Sequence, residues 1–180
     1  MTLNKAVICC ALVLPLFAAA QAQTPTPPVW VKDQTTLLKS SDPKLAANKK
    51  LVFDMWRSIV QAGRVDLAPQ FFTPGYIQHN PNVASGRDNL IAYIKGTRPV
   101  RPVAAEITFP VVALMAEGDI VTLATVSYDD DPDNPGKRYA GTHFDMFRIE
   151  NGKIAEHWDS VEKSAAALKY NPNTQNEKKP

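Results

Sequence analysis

Cysteine is almost missing from this chain of 180 residues: there are two, Cys9 and Cys10, and both lie in an apolar run near the start. That run, Ala6 to Ala20, follows Lys5 and carries Leu12, Leu14, Leu16 and Phe17. At about 15 residues it is shorter than the roughly 20 that cross a bilayer as a helix. It ends in Ala20-Gln21-Ala22, small residues at the spacing a signal peptidase reads. The reading is a signal peptide over residues 1–22, cleaved after Ala22, and a periplasmic or secreted product with no membrane attachment afterwards. No cysteine stands near the cleavage point to carry a lipid anchor. Without the leader the chain has no cysteine at all, which excludes disulfides, thiolate nucleophiles and cysteine metal sites.

Charge of one sign is also scarce. The net charge is +2 and no long basic stretch exists, so nucleic acid is not an expected partner. The chain has no phosphate-binding glycine loop, no Gly-x-Ser-x-Gly elbow and no dinucleotide fingerprint. The acidic loop from Asp129 to Asp133 fails the calcium-loop pattern, with Asn134 where glycine is needed and Ala140 where the bidentate glutamate belongs. It reads as a solvated hairpin loop. The three histidines, His79, His143 and His157, lack zinc-ligand spacing. Neither a metal nor a cofactor is expected.

What remains is enough for one core of about 158 residues. Residues 23–41 form a Pro/Thr-rich linker or arm, in which Val29 to Lys39 reads either as a short helix or as a segment lying on the domain. The domain spans 42–163, and a polar tail covers 164–180. Asp42-Pro43 starts a helix, as cap and first-turn proline. Leu45, Val52, Phe53, Trp56, Ile59 and Val60 give it one apolar face, Trp56 as core packing, and Gly63 stops it. A short helix is expected over Val65–Phe72, a connecting segment with polar residues over Tyr76–Pro81, and a third helix over Arg87–Lys95. After Pro102 the period changes to that of strands: Ile107–Met115, Ile120–Tyr128, Arg138–Ile149 and Lys153–Val161. Pro110 suggests an edge or a bulge. Helices followed by an antiparallel meander read as α+β, with a curved sheet closing over the helices to leave a pocket.

The chemistry-bearing residues gather on the last two strands. Asp145 follows His143 by two residues, and Asp159 follows His157 by two, so each pair points to one face. The turn decides whether the pairs share it. A three-residue loop, Glu150-Asn151-Gly152, sets Asp145 opposite His157 and His143 opposite Asp159. A two-residue Asn151-Gly152 loop sets Asp145 opposite Trp158 and puts the pairs on opposite faces. On the inner face they are candidates for acid–base chemistry. On the outer face they are solvated, with Trp158, Phe147 and Ile149 turned inward.

Tyr76 to Pro81, Gly86-Arg87-Asp88 opening a helix, and Asp145 to Asp159 together resemble the SnoaL-like branch of the nuclear transport factor 2 superfamily, over roughly Lys44 to Lys163. The resemblance implies a cone of helices and curved sheet around a pocket, and it favours the bulged turn. It implies that Asp159 acts as acid or base, that His157 lines the pocket and tunes it, and that His79 reaches the same space to polarise a carbonyl or shuttle a proton. Asp145, Trp158, Phe147 and His143 are the expected substrate-binding neighbours. The epoxide hydrolases of this superfamily need an Arg-x-Asp pair on an earlier strand, which Ile120–Tyr128 lacks. The implied activity is cofactor-free acid–base chemistry beside a carbonyl, an aldol-type cyclisation or isomerisation of a small apolar molecule. Because the fold hosts many functions, two alternatives stand beside it: a non-catalytic ligand-binding module and a dimeric interaction module. A homodimer through the open sheet face is expected.

Overall fold

The computed structural model describes residues 29–162. The expected signal peptide, most of the linker before Val29 and the polar tail lie outside the described residues. No helix among the described residues is long and apolar enough to cross a membrane.

The arm at residues 29–41 lies on the domain. Val31 N–H donates to Val111 O at 2.7 Å. One 3-10 turn, Gln34–Leu38, follows, with Asp33 accepting from Thr35 N–H at its start. Buried Gln34 bonds both main-chain groups of Ile107, at 2.8 and 2.9 Å, so no buried backbone group is left unmet there.

Helix α1 spans Pro43–Met55. Asp42 Oδ1 accepts from Lys44 N–H at 2.7 Å, with Leu45 N–H at 3.4 Å, a cap worth about 1 kcal/mol. The helix continues as a π-helical turn over Trp56–Gln61 and stops at Gly63, where φ is +65°. A Cβ there would meet Pro99 O at 2.9 Å, so glycine serves both the backbone angle and the close approach. The short helix α2 is Ala68–Phe71, and α3 is Arg87–Thr97.

Five strands follow the order β1-β5-β4-β3-β2 in an open, curved sheet. They are β1 Phe72–Gln78, β2 Val111–Glu117, β3 Ile120–Asp130, β4 Arg138–Glu150 and β5 Lys153–Asp159. All neighbours are antiparallel except β1, which runs parallel to β5. This is the α+β cone architecture expected from the sequence.

Two expectations need correction. Phe72–Gln78 is a strand, not the end of a helix and a connector. It docks on β5 with His157 opposite Gln78, a pairing distant in the chain that no local pattern announces. The strand expected from Ile107 starts at Val111 instead, because Ile107 is bonded to Gln34 rather than to a neighbouring strand.

The core lies between α1, α3 and the inner face of the sheet. Val52, Met55, Ile59, Val111, Val121, Leu123 and Ile154 are almost fully buried. Each such side chain contributes about 1.5–3 kcal/mol by leaving water.

Candidate active site

The hairpin settles which side chains meet. Asn151 and Gly152 have φ of 50° and 72°, the two-residue turn that matches strand twist. Glu150 faces Lys153 and Ile149 faces Ile154, but Arg148 faces Glu156. Ala155 is therefore an extra residue, a bulge on β5. Beyond it Phe147 faces His157 and Asp145 faces Asp159. The turn is the two-residue one, yet the bulge restores the shared face that the three-residue loop would give. Asp145 stands opposite Asp159 rather than His157, and His143 stands two residues further along β4.

These groups form the polar end of a cavity of about 580 Å³ between sheet and helices. Met55, Ile59, Phe72, Leu90 and Ile94 supply its apolar wall. Tyr93, Phe109 and Tyr128 also line it and are 40–52% exposed, which places the mouth at their end.

His157 is buried and doubly bonded. Its Nδ1 lies 2.8 Å from Gln78 Oε1 and its Nε2 lies 3.0 Å from Asp145 Oδ1. Gln78 Oε1 also accepts from Asn80 N–H at 3.0 Å, while Gln78 Nε2 donates to the Tyr76 hydroxyl at 3.0 Å. That fixes the amide orientation, so His157 Nδ1 must be the donor. The Phe147 ring stacks on the imidazole at 4.7 Å and holds its plane.

Asp159 Oδ2 accepts from Asn80 Nδ2 at 2.7 Å. Its Oδ1, and Asp145 Oδ2, are buried without a hydrogen-bond partner. Trp56 Nε1 is another such atom, and Trp56 both lines the cavity and packs in the core. Tyr76 is buried, and burial first, then the charges of Asp159 and Asp145, push its hydroxyl well above the ordinary tyrosine range. It stays protonated and donor-capable.

Of the expected site residues, Asp145, Phe147, His143, His157 and Asp159 line this cavity. His79 and Trp158 do not, which corrects the expectation that both reach it. They stack on each other at 4.8 Å, with ring planes 4° apart. His79 Nε2 bonds Glu156 Oε1 at 2.8 Å. Strand alternation is the reason: Glu156 and Trp158 point away from the face that carries His157 and Asp159. The sequence reading missed Tyr76, Gln78 and Asn80. Tyr76 and Gln78 are two apart on β1 and Asn80 continues that spacing just past its end, which is the signal that finds them.

The outer cluster yields a pH prediction. Glu156 gains a raised value from burial, but Arg148 at 2.8 Å and His79 outweigh it and hold the carboxyl below its ordinary 4.5. A lowered folded value stabilises the fold above the unfolded value, and that contribution is lost as pH falls through the folded one. Glu156→Gln is therefore expected to lower Tm at pH 7, with the gap to the parent closing as pH falls below about 4. A gap that stays constant from pH 7 to pH 3 contradicts this.

The family model for SnoaL-like polyketide cyclase matches residues 50–168. The chain belongs to that family. Similar solved structures share little sequence with it. A candidate polyketide cyclase from Acidithiobacillus ferrooxidans is 18% identical, with TM-score 0.48, over 67% of this chain and 89% of its own. A second, from Bacillus cereus, is 21% identical, with TM-score 0.44, over 72% and 80%. An LEH-like epoxide hydrolase of M. tuberculosis is 12% identical, with TM-score 0.47, over 65% and 84%. No curated protein matches the chain. In this SnoaL-like chain Asp145 faces Asp159 across the last two strands, and the side chain bonded to Asp145 is His157.

Proposed function

We propose that this protein is an exported small-molecule enzyme that moves a proton beside a carbonyl, in an aldol-type cyclisation or an isomerisation. The observation that carries the reading is Asp159, which lines the polar end of an apolar cavity: one carboxylate oxygen is anchored by Asn80, and the other is buried without a hydrogen-bond partner. A carboxylate so placed takes a proton from the carbon next to a substrate carbonyl and returns it elsewhere on the same molecule. The Tyr76 hydroxyl and Trp56 Nε1 supply hydrogen-bond donors for the oxygen on which charge develops. His157 and Asp145, bonded at 3.0 Å, fix the polar floor. The cavity volume suits a substrate of drug size, buried largely by apolar contact.

The test is a thermal-shift screen of aromatic, steroid-like and other carbonyl compounds, with Asp159→Ala beside the parent. A ligand that binds only the folded state raises Tm with occupancy. A compound that stabilises the parent and not the variant supports the reading, and a screen without any such compound sinks it. A compound that binds both proteins equally and never turns over favours the non-catalytic binding module. The outer sheet face, where Met115 and Phe144 are half exposed, is where a second copy would pack. Sedimentation at monomer mass would remove the dimer from the proposal.

A further inference from the structure

We propose that His143, Asp145 and Asp159 form a site for one first-row divalent cation such as zinc or manganese. One ligand atom from each lies within 4.8 Å of the other two. The two aspartates are direct cross-strand partners. Each has one oxygen anchored, Asp145 by His157 and Asp159 by Asn80. Each also has one buried oxygen without a hydrogen-bond partner. The Asp145 side chain is only 5% exposed, so water does not freely compensate that oxygen. Among the described residues no lysine or arginine is paired with either carboxylate.

His143 Nε2 stands 3.7 Å from Asp145 Oδ2. That is too long for a hydrogen bond and close to the separation of two ligands on one ion with bonds of about 2.1 Å. Imidazole with two carboxylates suits zinc or manganese better than magnesium. His157 and Asn80 are the anchors that orient such ligands from behind. Three protein ligands leave a coordination position open to the cavity, where an oxygen-bearing molecule can enter.

This inference rests on the proposed proton transfer only in its consequence. A cation uses the free oxygen of Asp159, so the cation-bound form cannot use that oxygen as a base. The metal then acts as an inhibitor of the proton-transfer form, and the site has two exclusive states.

The experiment is calorimetric titration of chelator-treated protein with Zn²⁺ and with Mn²⁺, without substrate, supported by the electron paramagnetic resonance of bound Mn²⁺. One ion per chain is expected. His143→Ala and Asp145→Asn are each expected to weaken binding at least about tenfold, while His79→Ala, on the other face of the sheet, leaves it unchanged. Absence of binding below about 1 mM, or affinity that survives His143→Ala, overturns the proposal. Because binding is read without substrate, its failure leaves the acid–base reading standing. Loss of proton transfer in the metal-free protein sinks that reading and leaves the cation site standing.

Discussion

Asp159→Asn is expected to lower turnover of an accepted carbonyl substrate by about 10²–10⁴-fold, the span that a positioned acid or base contributes. The substitution keeps the shape of the side chain. It also keeps an oxygen to accept from Asn80, whose bond to Asp159 is 2.7 Å. Only proton capacity goes, so Tm should move by no more than about 1–2 °C. Substrate binding should persist, because the apolar wall of Met55, Ile59, Phe72 and Leu90 is untouched. The expected signature is a lower kcat with little change in KM. A variant that turns over within threefold of the parent removes Asp159 from the chemistry. A variant that loses binding but keeps its rate at saturation makes it a recognition residue.

His157→Ala is expected to be the most destabilising change at the polar end, at about 3 kcal/mol or more. It strips Asp145 Oδ1 of its partner when Asp145 Oδ2 already has none, leaving a buried carboxylate uncompensated. It also frees Gln78 Oε1 from one of two bonds and opens a gap against Phe147. For a domain of this size the loss corresponds to roughly 10 °C in Tm. Asp145→Asn on the same background removes the stranded charge, so the double variant should recover a substantial part. Denaturant melts of the two single variants and the double measure that coupling. If the losses simply add, the two side chains do not act as a unit.

The sequence shows some of this arrangement plainly and hides the rest for physical reasons. Helices α1 and α3 are legible because Asp42-Pro43, Gly63 and Arg87 mark their ends and apolar residues recur at helical spacing. Strands β3, β4 and β5 are legible through alternation and Asn151-Gly152. The face of Asp159 is not, since it turns on whether one residue bulges. Ala155 has no feature of its own that marks it as the extra residue. The bulge is selected by the whole, because without it Glu156 and Trp158 would turn inward in place of His157 and Asp159. Strand β1 is hidden differently. Its partner lies about 80 residues away, so only tertiary pairing turns Tyr76 and Gln78 toward the cavity. The resemblance pointed to this segment and to His79 within it, but taken as a connector the segment has no faces, so nothing separated His79 from Gln78 and Asn80.

Hydrogen–deuterium exchange next to the carbonyl of a bound ketone tests the central claim most directly. Proton NMR in D2O follows the signal at that carbon with the parent protein and with Asp159→Asn. The account predicts catalysed loss of the signal with the parent, and loss at least about a hundredfold slower with the variant. A ketone shown to bind the cavity, yet exchanging no faster with the parent than in buffer, contradicts it.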